Sequence, residues 1–136
     1  MALTEGTRII YSAAPEFGIP MTVQAAKTVK RGDALTVHSD GTVRAADSDD
    51  GDQVRLIAGE DGNAGEKIPC YWMAVIDGFT GGTEAGAVYL SSTAGEYTVT
   101  ADTDAQDTNT IIGYVLTETK ILVLPGVRAD STAAGG

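Results

Sequence analysis

Groups that could carry out covalent catalysis are few and unsuitably spaced, since the chain has one histidine and one cysteine. His38, Ser39 and Asp40 are the residue types of a hydrolase triad, but they are consecutive, whereas a triad is assembled from separate elements. We interpret them as a polar hairpin turn. Cys70 lies in an apolar segment with no second histidine to lower its pKa, so we expect a buried, inert thiol. No catalytic residue is predicted, and we expect the chain not to be an enzyme.

Two acidic segments, Asp47–Asp52 and Asp102–Asp107, are the candidates for metal binding. Clustered carboxylates can bind Ca²⁺, but an EF-hand loop needs glycine at its sixth position and glutamate at its twelfth. With Gly51 sixth, Ile57 is twelfth, and a loop starting at Asp102 has Gly113 twelfth. We therefore expect solvated acidic loops without a metal. One histidine and one cysteine do not make a zinc site, and no cofactor is predicted.

Two glycine-containing segments match short binding motifs only superficially. Residues 59–66 are rich in glycine but lack the Gly-Lys-Ser/Thr ending of a phosphate-binding loop. Arg31-Gly32-Asp33 spells an integrin-type tripeptide, at a point where a glycine must turn the chain into a strand. We interpret this tripeptide as a turn.

The charge of the chain limits the partners it can have. Its net charge is −10, which argues against nucleic acid and anionic membrane surfaces, because both are bound through clustered Lys and Arg. No apolar run approaches the roughly 18–20 residues of a membrane span, and the first residues do not have the features of a secretory signal.

The elements that must position these residues are predicted to be strands. Apolar residues alternate between glycine-containing turns, and no window has helical periodicity. Two similar units, about 32–78 and 86–126, each give strand, glycine turn, strand, acidic loop, strand and apolar strand. Regular hairpins alone would give a similar spacing. Residues 54 or 55 positions apart match as follows: Gly32 and Gly86, Gly41 and Gly95, Asp47 and Asp102, Ile57 and Ile112.

These patterns predict an all-β fold, a small β-barrel or β-sandwich of about eight strands. The β domain is expected to cover residues 22–127, followed by a flexible tail over residues 128–136. The buried core is expected to consist of the apolar strand positions: Leu35, Val37, Val43, Leu56, Ile57, Val75, Val88, Leu90, Val99, Ile112, Val115, Leu122 and Leu124. In adjacent apolar pairs one member is expected to face a partner.

Residues 1–21 are predicted to form an extended N-terminal arm, because Pro15, Gly18 and Pro20 interrupt any regular element. An extended arm with apolar anchors suits pairing with a sheet edge of a partner. The alternative is a strand that covers the protein's own core. Phe79 stands among glycines and is also predicted to be a contact. The expected partner contacts are Ile9, Ile10, Tyr11, Phe17, Ile19 and Phe79.

The chain resembles one protein family over about residues 22–127. The segment from Arg31-Gly-Asp-Ala-Leu-Thr-Val through Gly41-Thr-Val-Arg-Ala-Ala to Ala64-Gly-Glu-Lys-Ile has the glycine-punctuated pattern of the head-decoration, or capsid cement, proteins of tailed bacteriophages. The continuation, Gly86-Ala-Val-Tyr-Leu and Ile112-Gly-Tyr-Val-Leu, resembles related phage proteins.

This resemblance implies a β-rich homotrimer on the outer surface of the virion. It implies that the protein binds neighbouring major capsid subunits after the shell expands, with the arm adding a strand to the capsid protein. Assembly in the bacterial host cytoplasm agrees with the absence of a disulfide. A non-catalytic carbohydrate-binding or adhesion module is the alternative, and exposure of Trp72 and the tyrosines on one face would favour it.

Overall fold

Alternating apolar residues and glycine turns produce an all-β fold, which confirms the predicted fold class. The structure, a computed structural model, describes residues 4–13, 18–83, 85–101 and 110–125. It has two antiparallel sheets, one of which curls into a half-barrel. The strands in these residues are β1 (Thr4–Ala13), β2 (Gly18–Thr22), β3 (Ala34–Val37), β4 (Val43–Ala45), β5 (Leu56–Ala58), β6 (Lys67–Tyr71), β7 (Ala74–Thr80), β8 (Ala87–Leu90), β9 (Tyr97–Thr98), β10 (Ile111–Val115) and β11 (Lys120–Val123).

Four strands of each sheet, ending at one edge, have the same order. The five-stranded sheet has the order β2-β6-β5-β3-β4, and the six-stranded sheet has the order β1-β7-β11-β10-β8-β9. In each sheet, the first two of four consecutive strands form a hairpin. The third strand pairs with the first strand on its other side, and the fourth, apolar strand pairs with the third. The chain therefore contains one arrangement of strands twice, once in each sheet.

Residues 66–76, an apolar segment of the sequence, contribute to two strands that belong to different sheets. β6 lies between β2 and β5 in the five-stranded sheet, whereas β7 lies between β1 and β11 in the six-stranded sheet. The chain changes sheets at Trp72 and Met73, and both side chains are exposed there. This crossing joins the two sheets directly.

The five-stranded sheet is buried on both faces. Ala34 and Ile57 belong to the core cluster shared with the six-stranded sheet, while their neighbours Leu35 and Leu56 belong to a second cluster. Successive residues of a strand point to opposite faces, so the two clusters lie on the two sides of the sheet. The second cluster also contains Val23 and Val29, which form isolated backbone bridges to Val43 and to Gly62.

Most of the predicted core residues are buried: Leu35, Val43, Leu56, Ile57, Val88, Leu90, Ile112 and Val115. The prediction is wrong for Val37 and Leu124, which are exposed. It is also too strong for Val75, Val99 and Leu122, which are only partly buried. Alternation identifies the strands but does not tell which face is covered. The sequence reasoning missed Ile76, Phe79, Ile121 and Val123, all of which are buried.

The predicted N-terminal arm is not free, because its described residues pair within the chain. β1 runs antiparallel to β7 and β2 runs antiparallel to β6, so both sheets take one edge strand from this region. The alternative reading, a segment covering its own core, describes residues 4–13 better. Ile10, for example, packs against the main core cluster.

A bulge in β1 places a side chain in contact with both of the similar units, 32–78 and 86–126. Glu5 pairs with Phe79 and Ile9 with Asp77, so three residues of β1 lie opposite Gly78 alone. Arg8, within the bulge, is paired with Asp33 and donates a hydrogen bond to the carbonyl oxygen of Gly95 at 3.1 Å. The side chains of Arg8 and Asp33 are nearly fully buried. β1 is therefore held by specific contacts as well as by its strand ladder.

Candidate interaction surface

The residues with triad chemistry remain at one turn. Asp40 accepts hydrogen bonds from the backbone and side chain of Thr42, which lower its pKa to about 2, and His38 Nδ1 lies 3.1 Å from Asp40 Oδ1. Cys70 is in the second core cluster, where burial raises the pKa of its thiol to about 12. His38 is half-exposed and Cys70 is fully buried, so this structure does not bring them together as a catalytic pair.

Two carboxylates of the Asp47–Asp52 segment accept hydrogen bonds from protein donors. Asp47 accepts a hydrogen bond from the Asp49 N–H at 2.9 Å and caps a short 3-10 helix, Ser48–Asp50. Asp52 binds Arg44 through two hydrogen bonds of 2.9 and 3.0 Å. Across the described ranges, no group of three or more His, Cys, Asp or Glu could hold a metal ion. The segment Asp102–Asp107 lies outside those ranges.

The tripeptide Arg31-Gly32-Asp33 is part of the fold's interior contacts. Gly32 has a φ of +84°, which favours glycine, and Asp33 is buried beside Arg8. Burial raises the pKa of the Asp33 carboxyl, and the Arg8 guanidinium and the Lys30 N–H offset part of that rise. A neighbouring cleft of about 440 Å³ is lined mainly by polar residues of both signs, Arg31 and Asp61 among them. Asp33 is therefore inaccessible to a partner that recognises such a tripeptide.

The outer surface of the six-stranded sheet presents apolar side chains. Paired residues of antiparallel strands share a face, and the pairs Val75–Leu122, Leu122–Tyr114 and Tyr114–Ala87 form one row across four strands. A second row contains Tyr89 and Ile111, and Ile9 lies opposite Asp77 nearer the β1 edge. We call this surface the open face; its apolar residues are Ile9, Val75, Tyr89, Ile111, Tyr114 and Leu122.

A bulge in β10 places two large residues on the open face. The register between β10 and β8 shifts between Ile111 and Gly113, so Ile111 and Tyr114 both point outward although they are three residues apart. A Cβ atom at Gly113 would lie 2.0 Å from the carbonyl oxygen of Leu122. Only glycine lets β11 approach β10 at this point, and the open face depends on that approach.

The open face is well exposed. Ile9 is 52% exposed, and Ile111 and Tyr114 are each 47% exposed. Val75, Tyr89 and Leu122 are partly exposed. Large side chains contribute roughly 150–250 Å² each, so the apolar area open to water is on the order of 400 Å². The largest apolar patch of a monomer is typically about this size and is often functional.

The predicted contact residues are distributed over several environments. Ile9 lies on the open face, Ile19 is exposed on β2, and Ile10 packs inward. Phe79 is 1% exposed and meets Tyr97 edge-on, with ring centroids 6.1 Å apart, so it is a core residue and not a surface contact. Phe17 and the side chain of Tyr11 lie outside the described part of the structure.

Sequence reasoning did not identify Tyr89, Ile111, Tyr114 or Leu122 as contact residues. One usable signal was the pair Ile111-Ile112, because adjacent apolar residues of a strand point to opposite faces. Ile112 is buried and Ile111 is exposed, in agreement with the expectation that one member of such a pair is free to face a partner.

Comparison of the chain with protein family models, with curated proteins and with solved structures finds no match. Among the described residues there is no helix of the length and apolar character that crossing a membrane would require.

Proposed function

We propose that this protein is a structural virion protein that decorates the outer surface of an expanded phage capsid. In this role it stabilises the shell by binding neighbouring major capsid subunits, and it does so without catalysis. The observation that carries the proposal is the open face, because an apolar surface of this extent on an acidic β module suits assembly through protein–protein contacts, of copies with one another as well as with a shell. The sequence resemblance to phage head-decoration proteins supplies the class of target.

The proposal includes self-association as a homotrimer, bound to the outside of a virion assembled in the bacterial cytoplasm. Many copies on a shell bind through summed contacts, so each contact can be modest. The net charge of −10 supports the external position, since it keeps the subunit soluble and disfavours binding to packaged DNA. Ile19, exposed on the edge strand β2, is the candidate capsid contact that lies apart from the open face.

The test is coating of shells from the phage that encodes the chain. Purified protein is mixed with expanded capsids that lack it and with unexpanded procapsids, and bound protein is measured by co-sedimentation. We expect saturable binding to expanded shells and a higher temperature of shell disruption. Ile19→Lys should weaken the binding, while Val37→Lys, an exposed strand substitution elsewhere, should leave it unchanged. Failure of the wild-type protein to bind expanded shells would refute the proposal.

A carbohydrate-binding module remains the second candidate, favoured by one observation. Trp72 is 52% exposed where the chain changes sheets, and Tyr114 is also exposed, as sugar-stacking residues would be. Binding of soluble glycans that disappears in Trp72→Ala, together with no binding to shells, would favour this function over decoration.

A further inference from the structure

Equivalent residues of the two units are covered in one sheet and uncovered in the other. Leu35 pairs with Leu56 in the five-stranded sheet, and the corresponding pair of the six-stranded sheet is Tyr89 with Ile111. Leu35 and Leu56 are buried. Ile111 is 47% exposed and Tyr89 is partly exposed. The same pair of positions therefore carries apolar side chains whether or not the chain itself covers them.

The cover over the first pair is apolar and comes from the same chain. Val23 and Val29 pack into the cluster that contains Leu35 and Leu56. In the described ranges, no segment lies over Tyr89 and Ile111 in this way, since these residues stay open to solvent. An apolar surface is thus the chemistry that fits the open face.

Charge on the open face is balanced. Asp77 and Lys120 are paired across β7 and β11, with Lys120 Nζ 3.7 Å from Asp77 Oδ2. The remaining positions of the two rows are uncharged, in a chain whose net charge is −10: they are apolar except for Thr98, which lies opposite Tyr89. Interface centres are depleted of charge in the same way. Two copies of this face can approach each other without opposing like charges on the face itself.

We propose that the open faces of separate copies of this chain pack against one another. This inference rests on the self-association in the proposed function, names a surface for it, and predicts that the isolated protein forms a pair, because a face that packs on itself closes with two-fold symmetry. Face-to-face sheets pack about 10 Å apart with interdigitating side chains, which the protruding Ile111 and Tyr114 allow. Burying about 400 Å² of apolar surface on each copy, together with its polar surround, reaches the roughly 1,000 Å² that a specific interface requires.

The first measurement is the mass of the full-length protein in solution by sedimentation equilibrium over a range of concentrations. We expect a species of twice 14.0 kDa that dissociates on dilution, because a face that packs on its own copy closes as a pair. Tyr114→Lys and Ile111→Lys should each raise the dissociation constant about tenfold or more, because a buried unpaired charge opposes packing. Val37→Lys is the matched control: Val37 is 42% exposed on a strand of the other sheet, and its substitution should not change the dissociation constant.

The salt dependence of the dissociation constant distinguishes apolar packing of the open faces from attraction between opposite charges. Raising the salt from about 0.05 M to about 0.5 M screens the repulsion between acidic copies, so association should become tighter. Hydroxyl-radical footprinting of the wild-type protein gives a readout that needs no variant. Tyr114 and Tyr89 should be protected at high protein concentration and reactive on dilution.

A monomeric mass at all concentrations would overturn the inference. So would an oligomer whose dissociation constant is unchanged in both open-face variants, provided that their circular dichroism shows them folded, or tyrosines whose reactivity is independent of concentration. An oligomer that depends on the open face but does not coat shells would keep this inference and refute decoration. A monomer that coats expanded shells would refute this inference and support decoration.

Discussion

Replacing Phe79 by alanine tests whether this residue is core or contact. Phe79 is one of the largest fully buried side chains, and its ring meets that of Tyr97 at an interplanar angle of 78°. β7 carries Phe79 and β9 carries Tyr97, so the contact joins the strand beside the β1 edge of the six-stranded sheet to the strand at the opposite edge. If Phe79 were a partner contact, its truncation would leave the stability of the isolated protein unchanged.

The expected loss follows from three contributions. Burial of a phenylalanine side chain contributes about 1.5–3 kcal/mol, and an edge-to-face aromatic pair adds about 0.5–1.5 kcal/mol. The cavity left by the ring adds a further cost where the surroundings do not collapse. We therefore expect Phe79→Ala to lower the free energy of unfolding by about 3–5 kcal/mol, a large fraction of the roughly 5–15 kcal/mol typical of a domain.

Urea unfolding followed by circular dichroism measures this loss as a shift in midpoint at unchanged slope. Phe79→Leu, which keeps most of the volume, should cost less than about 1.5 kcal/mol. Trp72→Ala is the aromatic control at an exposed position, with an expected loss of no more than about 1 kcal/mol. A Phe79→Ala loss as small as that of Trp72→Ala would show that Phe79 is not a core residue.

Four further outcomes are expected. Leu90→Ala should cost about 2–5 kcal/mol by urea unfolding, since Leu90 is fully buried, and a loss within error of zero would contradict its core position. Calorimetric titration with Ca²⁺ should show no tight, stoichiometric heat at Asp47–Asp52 or Asp102–Asp107. Cys70 should resist a thiol reagent at pH ~8 until the protein unfolds, because burial raises its pKa to about 12; rapid labelling of folded protein would show otherwise. Deletion of residues 2–14 removes β1 and should strongly destabilise the fold, whereas an unchanged unfolding curve would mean that β1 is a dispensable arm.

The strands of the two units could be predicted from the sequence because they depend on local patterns. Glycine turns at Gly41 and Gly95 have φ values near +80° to +86°, a conformation that glycine adopts without strain. The hairpins around them bring together residues that are close in sequence. The role of residues 4–13 could not be predicted in this way. It depends on pairing with β7 and on the contact of Arg8 with Asp33, both of which join residues far apart in the chain.

The open face shows why a surface is harder to predict than a strand. Leu56-Ile57 and Ile111-Ile112 are equivalent pairs of adjacent apolar residues, and in each pair the second residue belongs to the shared core. The first residues differ: Leu56 is buried and Ile111 is half-exposed. Nothing local distinguishes them, because each side chain points away from the shared core by the alternation of its strand.

What distinguishes them is a segment from elsewhere in the chain. Val23 and Val29 lie over the face that carries Leu56, and this cover precedes the first unit in sequence. The corresponding stretch before the second unit is β7, which is itself a member of the six-stranded sheet and so does not cover it. In the part of the chain that the structure describes, the strand arrangement that appears twice therefore has a covering segment over only one of its two occurrences. The six-stranded sheet therefore keeps an apolar face that contacts either water or another molecule. Because this face has no unpaired charge, contact with another molecule is favoured.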